Sequence, residues 1–168
     1  MQEEMLYFGD LLDKNEEAKK WNEQFEQEIA DIREKVQQAV PEGKTLSIMQ
    51  EYDGNVSLFG PKSGRGGRLM YEIMGLKPPA AVPEYMLKES YYEFSLEKLS
   101  EYMGDYLILT TDASLESLQA DPIWGSLAPI RDNRVFLWTE NQSWYRDPIA
   151  VNKQINELTD WIIEAAGR

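Results

Sequence analysis

Apolar positions first mark out a long amphipathic helix. Ala18, Trp21, Phe25, Ile29, Ile32, Val36 and Val40 recur at spacings of three and four, with Glu, Lys and Gln between them. Pro41-Glu42-Gly43 ends the run. The segment Glu17–Val40 makes roughly seven turns, about 35 Å of helix, which is long enough to brace one domain against another. The pattern then shortens. Thr45–Tyr52 reads as a strand, and Asp53-Gly54-Asn55 reads as a turn into a second apolar run, Val56–Phe59. A glycine-rich stretch, Gly60–Gly67, leads into a helix over about Arg68–Met74 that Gly75 closes, and Leu76–Pro83 is a proline-rich surface connection. Ser95 is an N-cap candidate for a helix through Tyr102.

Tyr106–Thr111 (YLILTT) is continuously apolar enough for a strand buried on both faces. A short helix follows from Ser114, and Asp121-Pro122 restarts the chain as cap and first helical residue. Arg134–Thr139 is the last strand. Asp147-Pro148 caps a final helix whose inward stripe is Ile155, Leu158, Ile162 and Ala165. Strands alternating with helices predict one α/β domain, a three-layer α/β/α sandwich around a mostly parallel sheet.

Composition removes several functions. With 17 basic against 30 acidic residues the net charge is -13, the wrong sign for binding nucleic acid. The chain has no cysteine and no histidine, so disulfides, thiolate nucleophiles, zinc sites of the usual kind and every Ser–His or Cys–His triad are excluded. No apolar run approaches the ~20 residues needed to cross a bilayer, and Met1–Asp10 lacks the pattern of a signal peptide. Five Trp and nine Tyr leave aromatic rings to spare for a ligand.

Three segments are candidates for chemistry. In Phe59–Tyr71 (FGPKSGRGGRLMY) a strand runs through glycines into a helix, so backbone N–H groups and a positive dipole end converge there, with Arg65 and Arg68 adding charge. The spelling matches neither a P-loop nor a complete dinucleotide fingerprint. The stretch is therefore either a tightly packed turn or a seat for an anionic or oxygen-rich ligand held by Arg65 and backbone amides, with Tyr71 at its far end. Glu140–Pro148 (ENQSWYRDP) joins the last strand to the last helix, where open α/β sheets bind ligands. Trp144 and Tyr145, flanked by Arg146 and Asp147, are either packing under the loop or a flat wall for a ligand. Glu97, in a first helical turn, is by default a dipole partner. Nothing selects a carboxylate pair for glycoside chemistry.

In order along the chain, Ser57–Pro79, Phe94–Leu99, Tyr106–Thr111, Leu118–Leu127, Asn133–Phe136 and Ser143–Ala150 resemble the C-terminal half of the periplasmic-binding proteins that serve iron–hydroxamate and related siderophore importers. The resemblance implies one lobe of a two-lobe fold: residues 1–43 as the inter-lobe helical brace and 44–168 as the C-terminal α/β lobe, with the N-terminal lobe absent from this chain. It implies a binding module rather than an enzyme, with no cofactor and no protein ligand to the metal, because the siderophore's own oxygens hold the iron. Arg65, Trp144 and Tyr145 match family positions that face the siderophore. Glu97 matches the acidic residue that docks to an arginine of the membrane permease. The expected partners are a ferric siderophore and an ABC-transporter permease. The expected state is a monomer, extracytoplasmic, lipid-anchored or periplasmic. Similar lobes also occur fused to AraC-type DNA-binding domains as intracellular siderophore sensors, which would make the protein cytoplasmic.

Overall fold

The computed structural model describes residues 2–52, 54–145 and 147–168. The chain opens with α1 (Gln2–Leu11), which folds back on the 25-residue α2 (Asn15–Ala39). The reversal is made at Asp13, which takes a left-handed φ of 55°. The hydrophobic stripe explains α2: Ala18, Phe25, Ile32 and Val36 are buried along one face. The periodicity placed α2 well and gave no warning of α1. In α1 the apolar residues cluster without a core-facing stripe, and Leu6, Tyr7, Phe8 and Leu11 remain exposed.

The strands are β1 (Leu46–Tyr52), β2 (Asn55–Phe59), β3 (Tyr91–Ser95), β4 (Tyr106–Thr110) and β5 (Val135–Trp138), in the order β3-β2-β1-β4-β5. Pairing is parallel from β1 through β4 to β5 and antiparallel from β1 through β2 to β3. The parallel expectation therefore holds on one side of β1. On the other side the connection from β1 to β2 is too short for a crossover, so the chain must reverse as a hairpin. Asp53, expected to begin that turn, lies outside the described residues.

Helices cover both faces, as a three-layer α/β/α lobe requires. A π-helical segment (Arg68–Ile73) follows β2, and α3 (Glu84–Lys88) precedes β3. After β4 come α4 (Leu115–Ala120) and α5 (Ala128–Arg131), and after β5 come α6 (Glu140–Trp144) and α7 (Pro148–Ala166). On one face Leu46, Ile48, Tyr106, Ile108 and Trp138 pack against α2, the π-helix and α7. On the other, Met49, Val56, Leu58, Phe94, Leu107 and Leu109 pack against α3, α4 and α5. Ile155, Leu158 and Ile162 of α7 are at most 1% exposed, and each contributes roughly 1.5–3 kcal/mol by leaving water. Ser114 and Asp147 cap α4 and α7 as expected, each side chain accepting from backbone N–H groups. Asp121 accepts from the amides of Ile123 and Trp124, but the helix it starts is one 3-10 turn (Trp124–Ser126).

Two local expectations are corrected. Ser95 caps no helix through Tyr102: it ends β3, its hydroxyl makes no cap hydrogen bond, and only a single 3-10 turn (Leu96–Lys98) follows. The Leu76–Pro83 connection does not simply cross the surface. Leu76, Pro79 and Val82 are buried, and the Leu46 amide donates to the Lys77 carbonyl at 2.9 Å.

Candidate functional site

The glycine-rich loop after β2 is closed by its own backbone. The Ser63 amide donates to the Gly60 carbonyl at 3.0 Å, the Gly67 amide to Gly64 at 3.0 Å and the Met70 amide to Gly66 at 2.8 Å. Ser63 Oγ donates to the Gly60 carbonyl at 2.8 Å. A Cβ on Gly67 would sit 2.2 Å from that same carbonyl oxygen, so only glycine fits there. These three amides are spent inside the turn and are not offered to a ligand. The tightly packed reading of the loop is right for its backbone. Its side chain is another matter.

Arg65 and Gly66 are successive left-handed residues, with φ of 52° and 82°. The left-handed region is unfavourable for a residue with a Cβ, and here it throws the Arg65 side chain across to the loop after β5. There the guanidinium is held from four directions. Nη1 donates to Ser143 Oγ at 2.9 Å, and Nη2 pairs with Glu140 Oε1 at 2.9 Å. The Phe59 and Trp144 rings lie 5.4 Å and 5.2 Å from it, within cation–π range. The side chain is only 11% exposed although it carries a full charge.

Three of those four partners come from α6, and α6 is itself well anchored. Thr139 and Gln142 form a reciprocal capping box at its start. The amide of Gln154 on α7 donates to the carbonyls of Gln142 and Tyr145 at 2.9 and 3.1 Å. The Trp138 indole N–H donates to Thr110 Oγ1 at 3.0 Å just before the segment begins. The result is a rigid wall that presents Trp144, 62% exposed, and Tyr145, 58% exposed. Neither ring is buried as packing.

The wall overlooks an open cavity of about 790 Å³, within the usual range for small-molecule sites. Its floor is the sheet face on the antiparallel side: Gln50 and Tyr52 of β1, Ser57 and Phe59 of β2, Tyr91 and Glu93 of β3. Strand alternation puts these on one face, while Val56, Leu58 and Phe94 between them are buried in the opposite layer. A second cavity of about 580 Å³ lies behind the loop, between it and Phe25, Glu26 and Ile29 of α2.

Arg65, Trp144 and Tyr145 are thus brought together at the larger cavity. Arg68 is exposed, faces the smaller one and lies 3.5 Å from Glu72. Tyr71 is corrected: it is buried in the core, its hydroxyl donates to the Leu46 carbonyl at 2.9 Å, and burial pushes its pKa far up. It lines neither cavity and is removed from the candidate site. Glu97 stands exposed on the 3-10 turn after β3, away from both cavities. Arg146 lies outside the described residues. The floor residues Gln50, Ser57, Tyr91 and Glu93 were not anticipated. Their signal was the alternation of polar and apolar residues through Tyr91–Ser95, obscured by reading Ser95 as a helix cap. Among the described residues no three Asp or Glu side chains converge as metal ligands, and no helix is long and apolar enough to cross a membrane.

An aromatic, arginine-pinned cavity beside an α/β sheet has the shape and chemistry to take up a small solute. The chain belongs to the periplasmic binding protein family, whose profile matches residues 1–142. Over 167 residues it is 29% identical to the iron(3+)-hydroxamate-binding protein YxeB of Bacillus subtilis, matching 95% of this chain and 52% of that one. It is 26% identical to the iron(3+)-hydroxamate-binding protein FhuD of the same organism, over 94% of this chain and 51% of that one. The chain spans about half the length of these relatives. Among solved structures it superposes on a FhuD fold-family periplasmic binding protein of a Fep/Fec-like ferrichrome ABC transporter from B. subtilis. That match has a TM-score of 0.86 and 27% identity, and covers 96% of this chain and 62% of the other. FhuD2 of Staphylococcus aureus with bound ferrioxamine B, at 23% identity, shares the fold with a TM-score of 0.82, over 98% of this chain and 65% of the other.

Proposed function

We propose that this chain is the C-terminal lobe of a siderophore-binding protein, and that it holds one side of a ferric hydroxamate in the cavity between the β1–β3 sheet face and α6, for delivery to an ABC-type importer. The observation that carries the reading is the Arg65 pin. A guanidinium buried between Phe59 and Trp144 fixes an exposed aromatic wall at the rim of an open cavity, an arrangement that stability alone does not call for. A ferric hydroxamate needs little more from the protein. The chelate's own oxygens hold the iron, so the site has to supply shape, flat apolar faces and a few donors, and Trp144, Tyr145, Tyr91 and the Arg65 guanidinium supply them.

Residues 1–43 serve in this reading as the brace to a second lobe, and the exposed apolar residues of α1, Leu6, Tyr7, Phe8 and Leu11, give that lobe a surface to pack on. Glu97, exposed and clear of the cavity, is the candidate contact with an arginine of the permease. The protein acts as a monomer outside the cytoplasm, lipid-anchored or periplasmic. One of the relatives named above, the FhuD fold-family protein of B. subtilis, is a component of a ferrichrome ABC transporter, which favours this reading over a sensor lobe.

The test is tryptophan fluorescence of the full-length protein, titrated with ferrioxamine B and ferrichrome against their iron-free forms, with free tryptophan as the inner-filter control. Saturable quenching at or below micromolar chelate is expected, weakened at least tenfold by Arg65→Ala and by Trp144→Ala in proteins that still fold. Unchanged affinity in both variants overturns the assignment of the cavity.

A further inference from the structure

The cavity floor carries a charge that the shape of the site does not require. β3 pairs Glu93 with Ser57 of β2, and β1 pairs Gln50 with the same Ser57. Glu93, Ser57 and Gln50 therefore form one lateral row across the floor, with neighbours ~4.8 Å apart. Gln50 and Ser57 are neutral. The Glu93 side chain is exposed to the cavity and, among the described residues, makes no hydrogen bond or ion pair. Among the described residues, the other charged groups lining the cavity are Arg65 and Glu140, and these neutralise each other at 2.9 Å. The described lining thus leaves one uncompensated negative charge, and it sits on Glu93.

We propose that Glu93 is a specificity-determining residue of this cavity and selects ferric chelates that carry a cationic substituent. The inference rests on the siderophore-binding reading above and deepens it. Three hydroxamate anions balance iron(III), so a plain ferric trihydroxamate is neutral and gains nothing from a carboxylate. A pendant ammonium group adds a positive charge that Glu93 attracts. A tricatecholate complex of the same iron is strongly anionic, and the same carboxylate repels it. Arg65 cannot offset that repulsion, because Glu140 already occupies its charge. Tyr91, two residues earlier on the same face of β3, and Tyr52 line the cavity as well and offer aromatic faces that further favour a cation.

Glu93 is exposed, so the pairing is worth what partly solvated ion pairs are worth, about a threefold to fivefold preference that salt erodes. The probes are ferrioxamine B, which bears a free ammonium, and its N-acetylated form, which does not, each titrated into the full-length protein. The quantity read is the ratio of the two affinities. Wild type is expected to prefer the ammonium form by about threefold or more at low salt. Glu93→Gln brings the ratio close to unity, Glu93→Lys reverses it, and Glu93→Asp keeps part of it. A wild-type ratio retained in Glu93→Gln overturns the inference while leaving the site reading intact. Failure of both probes to bind wild type overturns the site reading, and this inference with it.

Discussion

Replacing Arg65 by Met removes the guanidinium and keeps most of the apolar stem, so it isolates what the charge and its fork contribute. Glu140 is 63% exposed, which limits that ion pair to about 0.5 kcal/mol. The hydrogen bond to Ser143 Oγ is charge-assisted and its acceptor residue is 1% exposed, worth about 1.5 kcal/mol. The two ring contacts add about 0.5 kcal/mol each. Methionine recovers some of this by packing between the rings, leaving a net loss of about 2 kcal/mol. Because three of the partners lie on α6, the loss falls on that segment more than on the whole fold. Local opening of α6 should become about thirtyfold more frequent. Hydrogen exchange reads this directly, at the Ser143 amide that donates to the Thr139 carbonyl at 3.2 Å and at its neighbours in α6. Arg65→Lys keeps the charge but cannot bridge Ser143 and Glu140 with one ammonium, so it should fall in between. Exchange across residues 140–144 within twofold of wild type in Arg65→Met would refute the idea that this arginine holds the wall.

Asp105 gives a pH prediction. Burial alone would raise its pKa, but Lys44 Nζ at 2.7 Å, the Thr45 amide at 2.9 Å and Thr45 Oγ1 at 3.0 Å outweigh burial and hold it below the usual range. A carboxylate whose folded pKa is depressed stabilises the fold above its unfolded value, about pH 4, and that contribution is lost as pH falls through the folded value. Asp105→Asn should cost about 1–2 kcal/mol at pH 7 and flatten the loss of stability between pH 5 and pH 3; urea curves that run parallel to wild type across that range would count against it. Gly67→Ala forces a Cβ to 2.2 Å from the Gly60 carbonyl and 2.3 Å from Ser63 Oγ, and should lower stability by about 2 kcal/mol or more. A urea midpoint equal to wild type would show that the loop relaxes freely.

The core was legible because its residues obey simple periods. The stripe Ile155–Leu158–Ile162–Ala165, the YLILTT run and the Asp147-Pro148 cap each state their structure locally, and all three stand as read. β3 was hidden by Ser95 and Glu97, which together imitate a helix start. The hydroxyl is instead the last residue of a strand whose alternation, Tyr92 and Phe94 inward against Tyr91 and Glu93 outward, is the stronger signal. Arg65, Trp144 and Tyr145 were found because a charge among glycines and two aromatics in a loop have no local reason to be there. Glu140 and Ser143, which give Arg65 its partners, could not be found that way. They lie 75 and 78 residues away, and only the fold brings them within hydrogen-bonding distance. Tyr71 failed as a site residue for the same reason in reverse, since sequence proximity to the loop says nothing about which face of the helix it occupies.

The position of the cavity follows from the change of strand direction at β1. Parallel neighbours such as β1, β4 and β5 require long crossovers, and the helices in those crossovers cover both faces of the sheet. β1 and β2 are joined by a short hairpin that carries no helix, so one face of the sheet there can stay open. Here the covered face buries Val56, Leu58 and Phe94, while the other exposes Tyr52 at 77% and Tyr91 at 55%. The open face adjoins the last parallel strand's exit, where α6 rises beside it, and the short loop after β2 passes between the two. One arginine in a left-handed conformation spans that gap. The same topology that fills the core on the parallel side therefore leaves a walled recess on the antiparallel side, where, among the described residues, the Arg65–Glu140 pair leaves Glu93 as the unpaired charge of the floor.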